Sequence, residues 1–123
     1  MARILIAEDE LPLRSQIVRA LVADDHDVVA VADGGEALDV LARENGRFDL
    51  LLADIKMPVM DGIALALKTA RDYPDVRILL MTGFADQRER ARGLDALIHD
   101  ILTKPFAAAD LRRAVEDAIE ARR

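Results

Sequence analysis

The sequence predicts an α/β protein: a doubly wound, five-stranded parallel sheet with helices on both faces. Three observations predict it. Short apolar runs, each about the length of a buried strand, recur along the chain. Between them lie stretches whose apolar residues fall at helical spacing. Pro, Gly, Asn and Asp stand at the junctions, where turns and helix ends need them. Strands that alternate with helices run parallel, because each helix must carry the chain back across the sheet, and such a sheet is covered on both faces. The crossovers are expected to be right-handed.

Ile4 to Ala7 is the first apolar run, ended by Glu8-Asp9-Glu10. Pro12 suits the first turn of a helix, where its missing N–H costs little. Leu13, Ile17, Ala20 and Leu21 then share one helical face, and Asp24-Asp25-His26 stops it. Val28 to Val31, rich in β-branched residues, is the second strand. Asp33 is a helix N-cap, with Glu36 completing an Asp variant of the capping box. Ala37, Leu38 and Leu41 face the core from that helix, and Asn45-Gly46 ends it. Leu50 to Asp54 is the third strand, followed by the loop and helix-start signals Met57-Pro58 and Asp61-Gly62. Ile63, Ala66, Leu67 and Ala70 mark the face of the third helix, broken at Tyr73-Pro74-Asp75. Val76 to Met81 is the fourth strand. Asp86 to Arg92 has helical propensity but is almost wholly polar, so it offers a face to solvent or a partner. A short fifth strand falls within Leu97 to Thr103, before Lys104-Pro105. Leu111, Val115, Ala118 and Ile119 form the face of the last helix, whose basic end at Arg122-Arg123 suits the helix dipole.

The 123 residues fit a single domain spanning 1–123, and 52% apolar with 33% charged composition is that of a globular chain. A net charge of −6 argues against direct DNA binding, which needs a basic patch. It suits a basic partner or a bound cation. The absence of cysteine excludes thiol catalysis and thiolate metal sites and fits a cytoplasmic location. No apolar run approaches the ~18 residues of a membrane span. Met1 directly before the first strand suggests a natural start.

Polar groups arrive at the strand ends. Glu8 and Asp9 follow the first strand, Asp54 ends the third, Thr82 the fourth and Lys104 the fifth. In a parallel sheet these ends share one edge. With strand order 2-1-3-4-5, the first and third strands are neighbours where the order reverses, and the acids line the crevice where ligands of such sheets bind. Three carboxylates there would repel one another and push at least one pKa upward. A divalent cation resolves the conflict. Oxygen ligands with no histidine beside them favour Mg²⁺, with Mn²⁺ also acceptable. Lys104 adds a point charge and Thr82 a hydroxyl, so metal, ammonium and hydroxyl together suit a phosphoryl group. Asp54 is left as the nucleophile, since carboxylates form acyl phosphates. The plainer reading, a row of surface salt bridges, would serve for any one of these residues but not for four strand ends at once. His26 and His99 lie away from the acids and read as surface or loop histidines. Met57 and Met60 read as packing residues.

The motifs ILIAEDE (4–10), LLLADIKMPVMDG (50–62), ILLMTGFAD (78–86) and ILTKPF (101–106) resemble the receiver domain of bacterial two-component response regulators, CheY-like, over essentially the whole chain. The resemblance implies that Asp54 accepts a phosphoryl group from a histidine kinase or a histidine phosphotransfer protein. It implies that Asp9 binds Mg²⁺ directly, Glu8 directly or through water, and the Lys56 carbonyl as a main-chain ligand. Thr82 and Lys104 would sense the phosphoryl group, and Pro105 would follow a cis peptide that places Lys104. No metabolic activity is implied beyond Mg²⁺-dependent self-phosphorylation and dephosphorylation. The MTGFA segment and the lack of an output domain are similar to CpdR-type stand-alone regulators, adaptors for an ATP-dependent protease and its clients. The Arg122-Arg123 end departs from the small-residue degradation tail of some members. A phosphorelay intermediate, or a receiver cut from a hybrid kinase, are the competing functions. The switch also departs from the family pattern: Ile101 stands where an aromatic residue often does. Phe84 either takes part of that role or is a surface ring, with Ile101 in the core. Neither Lys56 nor Phe84 carries a group that orients water, so slow loss of the phosphoryl group is expected.

Overall fold

The computed structural model describes residues 1–83 and 85–121, with 85–87 as backbone. Ten elements alternate: β1 (Arg3–Ala7), α1 (Leu11–Ala23), β2 (Asp27–Val31), α2 (Gly34–Arg43), β3 (Leu50–Asp54), α3 (Gly62–Asp72), β4 (Arg77–Thr82), α4 (Ala85–Arg90), β5 (Asp100–Thr103) and α5 (Ala108–Ala121). The strands form one sheet of order β2-β1-β3-β4-β5, every pairing parallel. The fold class and the strand order are those the sequence predicts.

Alternation along the strands builds two apolar layers. Leu5, Ala7, Leu51, Ala53, Ile78 and Leu80 face one side, where α2 and α3 add Ala37, Leu41 and Leu65. Ile4, Ile6, Leu50, Leu52, Leu79 and Met81 face the other, against Ile17 and Leu21 of α1 and Leu111, Val115 and Ala118 of α5. All five residues of β3 are buried, as a central strand covered on both faces requires, whereas β2 and β5 at the edges stay partly open.

Several local expectations shift. Asp33 caps α2 through Glu36 N–H (2.8 Å), but the Glu36 carboxylate accepts from Ala32 N–H (3.2 Å) rather than from the cap residue itself. In α3 the buried stripe is Gly62, Leu65, Ala66 and Thr69, while Leu67, placed on the core face from sequence, is 45% exposed. Thr69 tolerates burial because its hydroxyl donates to the Leu65 carbonyl at 2.7 Å. The helix after β4 ends at Arg90, two residues short of the expected Arg92, and the next residue, Ala91, is fully buried. The basic end at Arg122-Arg123 lies outside the described residues.

The loop after β3 carries a local strain. Val59 has φ +69° and is 84% exposed. A β-branched residue is poorly suited to the left-handed region, and Asn tolerates it far better. Val59→Asn should therefore stabilise the fold by about 1 kcal/mol, read as a higher urea midpoint at unchanged slope. A lower midpoint would show that Val59 contributes packing that outweighs the strain.

Candidate functional site: an acidic crevice at the strand ends

Register places the acids side by side. Ala7 of β1 pairs with Ala53 of β3, so Glu8 and Asp54, the next residue of each chain segment, stand level at the strand ends. Asp54 pairs in turn with Met81, one residue before Thr82, and Thr82 pairs with Thr103, one before Lys104. Lys104 N–H donates to the Thr82 carbonyl at 2.7 Å. The Lys104–Pro105 peptide is cis.

Glu8, Asp9 and Asp54 each offer a carboxylate oxygen, and the three oxygens lie within 4.8 Å of one another. Glu8 and Asp54 are buried and Asp9 is exposed. The Lys104 ammonium donates to Asp54 Oδ2 at 2.7 Å and to Glu8 Oε1 at 2.8 Å. Glu10 N–H donates to Glu8 Oε2 at 3.0 Å. Asp9, Asp54, Lys56, Gly83 and Lys104 line an open cleft over the sheet edge. Thr82 is buried at the end of β4, and the Lys56 side chain is exposed.

Gly62 closes the back of the site. Its N–H donates to the Ile55 carbonyl at 2.8 Å, and a Cβ there would come within 2.2 Å of the Asp54 carbonyl oxygen. Only glycine lets the start of α3 lie against the backbone that carries Asp54. Asp61, the α3 cap, accepts from Ala64 N–H at 2.8 Å through Oδ1 and from Arg90 at 2.8 Å through Oδ2.

Burial pushes the Glu8 carboxyl up to about 7, with the nearby Asp54 charge adding to it, while Lys104 and the Glu10 N–H oppose the rise. Repulsion among the acids was the reason expected from sequence; burial is the larger one. Burial also works against the Lys104 charge, yet the bonds to Asp54 and Glu8 hold that ammonium above its ordinary value.

The remaining candidates fall elsewhere. Ile101 on β5 is half-buried against the α2–α3 layer. Phe84 lies outside the described residues. His26 and His99 each precede a strand, β2 and β5, on the sheet edge opposite the acids, and His26 Nδ1 accepts from Ala2 N–H at 3.1 Å. Met57 is buried in the core, with Met60 half-buried against it. The sequence reading passed over Arg14, whose guanidinium donates to the Glu8 carbonyl at 2.9 Å. The available signal was a cation just inside the N-terminus of a helix, where the dipole disfavours it.

The raised Glu8 value fixes the sign of a pH effect. In the unfolded chain Glu8 ionises near the ordinary carboxyl value of 4.5, whereas the fold keeps it protonated to about 7. Its contribution to stability is therefore full below 4.5 and lost as pH rises through 7. With metal chelated, Glu8→Gln should gain stability relative to wild type between pH 5 and pH 8, by on the order of 2 kcal/mol. Urea unfolding at the two pH values checks it; an unchanged difference would show that Glu8 is ionised in the fold throughout.

The family model described as "Response regulator receiver domain" matches residues 4–116. "Response regulator MprA" of Mycobacterium sp. (strain KMS) is 37% identical over 109 residues, 89% of this chain and 46% of MprA. "Sensor kinase CckA" of Brucella abortus (strain 2308) is 33% identical over 120 residues, 97% of this chain but 13% of CckA. The chain thus spans less than half the length of either relative. A response regulator receiver domain protein from Clostridium thermocellum superposes with a TM-score of 0.89 at 25% identity, covering 98% of this chain and 96% of that one. With a buried aspartate, two further acids and a lysine gathered at the β-strand ends of a 2-1-3-4-5 sheet, and with the family model spanning nearly all of it, the chain belongs to the response regulator receiver domain family.

Proposed function

We propose that the chain is a phosphorylation-switched signalling module, residues 1–123 forming one receiver domain, with Asp54 as the phosphoacceptor. The carrying observation is the buried Asp54 carboxylate, one oxygen held by Lys104 at 2.7 Å and two further acids within 4.8 Å. The donor is a histidine kinase or a histidine phosphotransfer protein. An Asp54 oxygen attacks the phosphorus of a phosphohistidine; the O–P bond forms as the N–P bond breaks. The imidazole leaves with the bonding pair and is neutral, its other nitrogen already carrying the proton.

Glu8, Asp9 and Asp54 fit a hard divalent cation, because every donor is an oxygen and their spacing lets one ion reach all of them. Mg²⁺ is the preferred ion, Mn²⁺ an acceptable one, and the Lys56 carbonyl a further ligand from the same cleft. When bound, the ion would offset the negative charge on the phosphoryl oxygens. Lys104 leaves the Asp54 carboxylate to pair with the transferred group, and the Thr82 hydroxyl donates to it. Ile101 on β5, with Phe84 and Pro105, forms the responding region.

The phosphoryl group adds nearly two negative charges at the strand ends. The readout is altered protein binding, and the adaptor for an ATP-dependent protease, as in CpdR-type regulators, is the form the sequence motifs favour. The 33% identity to a segment of a sensor kinase supports a second reading, a relay intermediate between histidine proteins. A relay would return its phosphoryl group rapidly to a histidine protein. An adaptor would capture a protease or client only when phosphorylated.

Asp54→Asn should take up no label from a small phosphoramidate donor, and chelation should abolish labelling of the wild type. Undiminished labelling of the mutant would remove Asp54 from the mechanism. Labelling that persists without divalent ion would remove the metal from it.

A further inference from the structure

We propose that Arg14 is a positioning residue for the cation site, holding the peptide that joins Glu8 to Asp9. The inference rests on the reading of Glu8, Asp9 and Asp54 as that site.

Asp9 is the acid whose direction has least support. It is exposed, and among the described residues its carboxylate has no hydrogen-bond partner, so its aim depends on the backbone of the turn that carries it. Besides the Lys104 bond to Glu8 and the Arg14 N–H bond to the Glu10 carbonyl, that turn is held at three points. Glu8 N–H donates to the Val31 carbonyl at 3.1 Å, and Glu10 N–H donates to Glu8 Oε2 at 3.0 Å. The third point is the Glu8 carbonyl, which accepts from Arg14 at 2.9 Å. This carbonyl belongs to the Glu8–Asp9 peptide itself, so the guanidinium fixes the plane from which Asp9 departs.

The location of Arg14 is electrostatically unusual. It sits four residues into α1, with its own N–H bonded to the Glu10 carbonyl at 2.9 Å. A cation near a helix N-terminus opposes the dipole. The first turn carries no acidic residue and Glu10 makes no side-chain cap. What Arg14 does for the helix is thus slight, and among the described residues its one side-chain bond goes to the acidic turn. Removing a group that orients a metal ligand costs roughly 10–100-fold in metal affinity.

Two physical roles predict opposite signs. As a mere positive charge near three acids, Arg14 weakens cation binding, and its removal would tighten it. As a positioning residue it strengthens binding, and its removal loosens it.

The test is a MgCl₂ titration of the ¹⁵N-labelled full chain, following backbone amide shifts in wild type, Arg14→Met, Arg14→Ala and Arg14→Lys. Arg14→Met keeps the apolar stem and limits any loss of packing. Arg14→Met and Arg14→Ala should raise the apparent Mg²⁺ dissociation constant by roughly tenfold, with Arg14→Lys recovering most of it. The metal-free spectra should already differ at Asp9 and Glu10. Unchanged or tighter Mg²⁺ binding by folded Arg14→Met overturns the proposal. A wild type with no saturable shifts, or an Asp9→Ala variant that binds equally well, would overturn the cation site and this proposal together.

Discussion

One ammonium between two buried carboxylates sets the terms for the rest of the molecule. Glu8 is fully buried and Asp54 nearly so, a costly arrangement for two acids standing level on adjacent strands. Lys104 meets both, at 2.8 and 2.7 Å. It reaches them from the end of β5, two strands away from β3, so the pairing exists only once β1, β3, β4 and β5 stand side by side. Removing one partner of such a set leaves buried charge unmatched, which is far more costly than the set is stabilising. The same constraint suits the proposed chemistry. In that proposal, a phosphoryl group attached to Asp54 would take over the lysine that now pairs with the carboxylates.

The surroundings of Asp54 are built to be rigid on one side and adjustable on the other. Behind it, Gly62 brings α3 against the Asp54 carbonyl, closer than any side chain would permit. Asp61 anchors the same helix, and Arg90 reaches it from α4. Burial works against the Asp61 charge, yet the Ala64 N–H and Arg90 hold its carboxyl below the usual range. On the open side, α4 is six residues long and its arginines reach out to other elements. Arg88 bonds the Thr103 hydroxyl, and Arg90, more than half exposed, bonds Asp61. Ion pairs as open as the second are worth little. Elements held by few buried apolar groups and by solvent-facing polar bonds open at low cost, which is where a switching surface is expected.

Much of this was legible along the chain. The apolar runs at 4–7 and 50–53 read as buried strands from their length and the turn signals around them, and the acids that follow them fall on one edge in any parallel sheet. Asp33, Asn45-Gly46 and Asp61-Gly62 marked helix ends because capping is local: the groups that need satisfying lie within a few residues. The α3 face was misjudged because Thr69 is polar by name but satisfied by its own helix, while Leu67 is apolar yet lies on the exposed side of the helix.

The alternation of strand and helix and the identity of the residues at the strand ends were readable from the chain alone, since both follow from short-range periodicity and turn chemistry; the strand order 2-1-3-4-5 was expected from the fold class, not from those local signals. Long-range packing set which acids are buried, so that Glu8 is sunk while its neighbour Asp9 stays open, and it brought Lys104 across Glu8 and Asp54. It also decided that Arg14 turns back to the Glu8 carbonyl and Arg90 to Asp61. The physical reason is that burial and long side-chain reach depend on how distant segments come into register, and a residue's neighbours along the chain do not encode what will stand across from it.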